Sequence, residues 1–200
     1  MKEYDIKKVR EGFSWTDIDI LEIDIPYRKT TDEIKAKAQL CYNDKAILVH
    51  LSTEEKDIRA VQTGKLGMPC EDSCLEFFFS PMENDQRYFN IEFNFNGCMY
   101  LGFGSGLSDL TRLIVEPDEV FEPEILKTDK GWEIFYSIPY TFIRRFFPDF
   151  EANEGKTIRA NCYKCADFSV PPHYLSWNLV EGDPFTFHKP SCFGIMKFIK

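Results

Sequence analysis

No apolar run in this sequence approaches the roughly 20 residues of a membrane-spanning helix, so an α-helical membrane protein is excluded. Positive charge is scarce: 24 Lys and Arg stand against 33 Asp and Glu, a formal net charge of −9. That balance withholds the cationic surface that phosphate backbones and anionic lipids require, so neither nucleic acid nor a membrane is expected as a partner. The opening segment MKEYDIKKVREGFSW is charged and lacks the apolar stretch of a leader peptide. Cysteine is present but does not pair off: the seven are Cys41, Cys70, Cys74, Cys98, Cys162, Cys165 and Cys192. An odd count in a chain long enough to build a core points to reduced thiols. A cytoplasmic location is the resulting expectation, with a secreted one left open. The sequence also has no GxSxG, HExxH, P-loop or GxGxxG pattern. The glycine-rich Gly102–Gly106 run lacks the lysine and following helix of a phosphate loop.

What is abundant is aromatic surface: 19 Phe, 9 Tyr and 3 Trp make 16% of the chain. The local pattern explains most of it. Apolar and polar residues alternate with period two through 34–42, 46–52, 74–80, 87–96, 98–103, 120–128, 132–138, 157–166 and 192–199, with a further run ending at Pro26. Asn43-Asp44-Lys45 and Asn96-Gly97 are turn signals between such runs. Only 140–147, after Pro139, has the look of a helix. Many short alternating strands without βαβ spacing predict an all-β antiparallel β-sandwich of immunoglobulin-like or jelly-roll type, with one short helix. No repeat or linker divides residues 1–200, so one domain is expected. Two long connections, 54–72 and 167–191, interrupt the strands and are of the length that carries function.

Chemistry concentrates on three strands. Ile91, Phe93 and Phe95 share one face of their strand, while Asn90, Glu92, Asn94 and Asn96 share the other. Glu76 alternates with the apolar Leu75 and Phe77, and Arg159, Asn161 and Tyr163 alternate with Ile158, Ala160 and Cys162. Asn is disfavoured in strands, so a row of amides and carboxylates reads as a surface that orients sugar hydroxyls. Sugar rings also need a flat apolar platform, and Trp177, in the second long loop, is the expected one. Trp15 and Trp132 read as packing residues. His173 and His188, in the same loop, are candidate metal ligands or bases, with a structural role for His188 within Phe185–Pro190 as the alternative. Cys70-x3-Cys74 and Cys162-x2-Cys165 raise a zinc site, but Cys162 and Cys165 must point to opposite faces of their strand. The metal content is left unknown. An enzymatic alternative is a glycoside hydrolase using Glu76 and Glu92 as its carboxylate pair.

The ordered set Asp72-Ser73-Cys74-Leu75-Glu76-Phe77-Phe78, Tyr88-Phe89-Asn90-Ile91-Glu92-Phe93-Asn94 with Gly97, Ile158-Arg159-Ala160-Asn161-Cys162-Tyr163, Pro172-His173-Tyr174-Leu175-Ser176-Trp177, Phe187-His188-Lys189-Pro190 and Phe193-Gly194 resembles the family 9 carbohydrate-binding modules, particularly their stand-alone bacterial relatives. The resemblance implies a β-sandwich that binds mono- or oligosaccharides without cleaving them. It also implies association with xylanases and related hydrolases, and hence a role in polysaccharide catabolism. Glu76, Glu92 or Asn94, and Trp177 occupy the regions that the resemblance implies bind sugar. With Asn161, Arg159 and His173 from the polar strand faces and the loop they make the expected carbohydrate-binding set, with no catalytic residue. No cofactor is implied beyond a structural calcium, for which Glu71 and Asp72 are the nearest carboxylates. One departure is visible. The family's first clamp aromatic belongs shortly before Glu76, and Gly67–Asp72 contains none.

Overall fold

The computed structural model describes residues 1–27, 33–183 and 185–200; Pro184, in the second long loop, lies outside them. Among the described residues, 14 strands hydrogen-bond into one curled sheet. In chain order they are β1 (Glu3–Lys8), β2 (Leu21–Ile23), β3 (Ile25–Pro26), β4 (Lys35–Tyr42), β5 (Ala46–Glu54), β6 (Cys74–Ser80) and β7 (Tyr88–Asn94). They continue as β8 (Met99–Gly104), β9 (Thr111–Arg112), β10 (Glu124–Lys127), β11 (Gly131–Pro139), β12 (Thr157–Ala166), β13 (His173–Ser176) and β14 (Gly194–Ile199). Two four-residue helices, α1 (Pro117–Val120) and α2 (Tyr140–Ile143), complete the regular structure. No helix is long and apolar enough to cross a membrane among these residues.

One set of strands runs β10-β11-β5-β4 and the other β14-β12-β6-β7-β8-β9. They are joined by β1, which pairs in parallel with both β4 and β14, so the sheet is mixed rather than purely antiparallel. The sequence reading passed over β1 because its residues are mostly charged. The charges face outward, and the alternating Tyr4 and Ile6 are buried. The apolar faces of the two sets meet: Phe93 packs on Tyr136 with ring centroids 5.3 Å apart, and Phe95 on Trp132 at 6.1 Å. Most of the aromatic excess is spent in this layer. The helix expected over 140–147 is shorter. α2 ends at Ile143 and the chain continues as turns to Phe147, where Pro148 disfavours helical backbone in the residue before it.

β12 is the strand that positions the site. Its early residues pair with β14 on one edge, its later ones with β13, and its other edge runs along β6 through Arg159–Cys165. With period two, Ile158, Ala160 and Cys162 point into the main core, and Tyr163 and Cys165 point to the far face. That far face is not open to solvent. Phe78, Tyr88, Tyr163, Phe187 and Phe193 form a second apolar cluster there, covered by the loop that follows β13.

Candidate functional site

Glu76 on β6 and Glu92 on β7 are direct cross-strand partners on this far face. Such partners hold their Cβ atoms roughly 5 Å apart. They are 2% and 5% exposed and form part of the wall of a cleft of about 390 Å³. Tyr100 of β8, Tyr174 of β13 and the loop residues Phe185, Phe187 and His188 line the same cleft, with Met68, Cys70, Cys165 and Asp167. Tyr100 is fixed from one side by the Arg112 guanidinium, 4.6 Å from the ring centroid. Tyr174, Phe185 and Phe187 brace one another edge to face. His188 is held by Tyr88, Oη to Nδ1 at 2.9 Å.

Burial dominates the electrostatics. Desolvation and the neighbouring Glu92 push the Glu76 carboxyl well above the usual carboxylate range, and desolvation raises Glu92 to about 7. Cys165 Sγ donates to Glu76 Oε1 at 2.7 Å. Glu92 Oε2 is buried without a hydrogen bond, although the Asn90 side chain lies close enough to lower the Glu92 pKa against the effect of burial. His188 falls to about 4 through burial, so its ring is neutral at pH 7. The cleft therefore offers neutral or singly charged oxygen acceptors set among flat apolar rings. A larger, shallower cavity of about 1030 Å³ lies between the 54–61 and 168–173 segments. Its walls carry exposed charged side chains such as Lys56, Asp57 and Lys130 together with the buried Glu55 and His173, and it has none of the flat aromatic lining of the Glu76 cleft apart from Phe168.

The model of Carbohydrate-binding family 9 matches residues 9–198. The chain belongs to that family. A Bacteroides uniformis protein to which carbohydrate binding is ascribed has a similar structure: TM-score 0.80, 26% identity, 98% of this chain and 99% of that chain covered. A family 9 carbohydrate-binding module from Caldicellulosiruptor kristjanssonii in complex with cellotriose gives TM-score 0.69 at 13% identity, covering 99% of this chain and 94% of that one. The same module with glucose gives TM-score 0.68 at 13% identity, covering 98% and 95%. At that identity the likeness shows the β-sandwich fold. No curated protein sequence matches.

The other residues expected at a family 9 site lie elsewhere. Trp177 is 4% exposed and sits in the main core, so it is not a platform. β13 explains why: its backbone pairs with β12, Leu175 and Trp177 share the core-facing parity, and Tyr174 takes the cleft-facing one. Asn94 is consumed structurally. Its amide donates to Gln62 O and Asp72 Oδ2, and its oxygen accepts from Asn96 and Cys98 N–H. Asn161 pins the loop after β13, exchanging hydrogen bonds of 2.9 Å with the backbone of Asn178. Arg159 reaches the carbonyls of Ser191 and Phe193 instead of the cleft. The position of the missing clamp aromatic is filled by Met68 and Cys70, and the rings that line the cleft come from Tyr100, Tyr174 and Phe185. Sequence parity on β13 could have found Tyr174; nothing in the sequence placed Tyr100 or Phe185.

The calcium implied for the family does not fit the loop holding Glu71 and Asp72. Asp72 Oδ2 accepts from the N–H groups of Val61 and Gln62 and from Asn94 Nδ2, while Oδ1 faces Arg59 Nε at 3.2 Å. Glu71 Oε2 accepts from Gln62 Nε2. Asp72 Oδ1 is buried without a hydrogen bond but faces a guanidinium, and N–H donors surround Oδ2, so the loop presents cationic and donor groups where a hard cation needs oxygen ligands.

His173 lies on the rim of the larger cavity, with Nε2 3.8 Å from Glu55 Oε2. Burial, with the Lys164 ammonium nearby, lowers its pKa from 6.5 to about 4. A depressed histidine is neutral when folded and protonates first in the unfolded chain. It therefore removes stability as pH falls from about 6.5 toward about 4, by up to about 3 kcal/mol over the window. Urea unfolding of wild type and His173→Gln at pH 7 and pH 4.5 checks this. The variant should lose less stability on acidification, leaving the slope contributed by His50 and His188, and an unchanged slope removes His173 from this account.

Proposed function

We propose that the cleft walled by Glu76 and Glu92 binds the sugar of this family 9 protein, and that it does so without catalysis. The observation that carries the reading is the pair of adjacent buried carboxyl groups, one with an unpartnered oxygen, set among Tyr100, Tyr174 and Phe185. The volume falls within the roughly 300–1,000 Å³ of small-ligand sites, enough for one or two sugar rings rather than an extended chain. Vicinal hydroxyls bond to the carboxyl oxygens, and the C–H face of the ring packs on the aromatic walls. The family relationship and the glucose and cellotriose bound to the Caldicellulosiruptor module support a ligand from plant-type polysaccharide fragments or simple reducing sugars.

The hydrolase alternative finds no support in this geometry. A glycosidase pair must flank the scissile bond from two sides. Glu76 and Glu92 are neighbours on one sheet face, so both approach a ligand from the same side.

Calorimetric titration with glucose, cellotriose and xylo-oligosaccharides tests the reading. Saturable binding of at least one of them is expected, with no release of shorter products on prolonged incubation. Failure of all three to bind, or turnover abolished by Glu92→Gln, would overturn it.

A further inference from the structure

The far face holds a second feature, which shares Glu76 with the proposed sugar site. Cys74 on β6 and Cys165 on β12 are direct cross-strand partners, and Glu76 stands two residues along β6 on the same face. A sulfur from each cysteine and an oxygen of Glu76 lie within 4.8 Å of one another, and all three residues are buried. The strand parity that separates Cys162 from Cys165 is what makes this group. It sends Cys162 into the main core and leaves Cys165 facing Cys74. From these positions we infer that Cys74, Cys165 and Glu76 form a binding site for one zinc-class divalent cation at the base of the cleft.

The donor set carries the choice of ion. Two thiolates and one carboxylate suit a borderline-soft metal in tetrahedral coordination and not calcium or magnesium, which take oxygen ligands. Three protein ligands leave a fourth position open, and two of the three, Glu76 and Cys165, line the cleft. A separate observation lies beside the cluster: Glu92, the cross-strand partner of Glu76, carries an unpartnered Oε2 on a side chain more than nine-tenths buried and lines the cleft together with Glu76 and Cys165. The Cys165 thiol now spends its proton on Glu76 Oε1. A cation replaces that proton and the ones on Cys74 and the Glu76 carboxyl, so its binding releases protons and strengthens with rising pH. The inference stands on this cluster alone and does not depend on a sugar occupying the cleft.

The test uses the full chain, reduced and stripped with a chelator, in the absence of sugar. Co²⁺ is added as a spectroscopic probe, and Zn²⁺ is titrated against a chromophoric competitor. One ion per chain and a thiolate-to-cobalt charge-transfer band are expected. The zinc affinity should fall more than tenfold in Cys165→Ser and in Glu76→Gln, and should not change in Cys192→Ser, whose residue lies outside the cluster. Absence of the charge-transfer band in reduced wild type overturns the site, whether or not the variants fold. So does a zinc affinity in Cys165→Ser equal to that of wild type.

Discussion

Replacing Trp177 by alanine should cost about 3–5 kcal/mol of stability, the usual price of emptying a buried large aromatic site. Its ring is 4% exposed and lies against Gly194, where even a methyl group would come within 2.5 Å of the indole. The backbone N–H of Trp177 donates to Cys162 O at 2.9 Å, holding the residue at the end of β13 and over the core. Urea unfolding monitored by far-ultraviolet circular dichroism measures the loss. Trp177→Phe keeps most of the volume and should cost far less. A Trp177→Ala protein as stable as wild type would mean that the ring does not occupy the core as described.

The second large effect lies two residues beyond Cys162, further along β12. Lys164 is fully buried, with Nζ 3.4 Å from Glu55 Oε2 and 3.0 Å from its acceptor Cys165 O. Glu55 Oε1 accepts from Trp132 Nε1 at 3.0 Å and from the Ser73 hydroxyl. This network ties the 54–72 connection to β11 and β12. Glu55→Ala leaves the ammonium buried without its counter-charge and should destabilise by about 3–5 kcal/mol. Glu55→Gln with Lys164→Met removes both charges and should recover most of that loss, because a neutral pair of similar volume avoids the desolvation cost. Chemical denaturation of the single and double variants at pH 7 gives both numbers. A double variant no more stable than Glu55→Ala would contradict the assignment of the loss to an orphaned charge.

These two sites also show how far the sequence could be read. Period two located β6 and β12 and sorted their faces, because each buries one apolar side and a one-residue slip would expose it. Glu76 and Glu92 were legible for the same reason. Their parity was visible, and only their direct pairing required the register. Trp177 reads as a loop residue because it falls in a long stretch with four prolines and no sustained period-two pattern. The four residues of β13 before it are fixed by pairing with β12, a long-range contact with no local signal. Asn94 and Asn161 were unusual for strands, as noticed, but the reason is structural: each replaces missing backbone partners where a loop leaves the sheet. Lys164 shares the parity of Ile158 and Cys162 and so was readable as buried. Its partner Glu55 lies more than a hundred residues away in sequence and was not.

The central claim is that sugar is held by the adjacent carboxyl groups of Glu76 and Glu92 and not by Trp177. Calorimetric titration of the tightest-binding sugar into wild type, Glu92→Gln and Trp177→Phe, each confirmed folded, tests it most directly. The account predicts at least a tenfold loss of affinity in Glu92→Gln, about 1.4 kcal/mol, and an affinity within twofold of wild type in Trp177→Phe. Undiminished binding in Glu92→Gln together with lost binding in Trp177→Phe would contradict it.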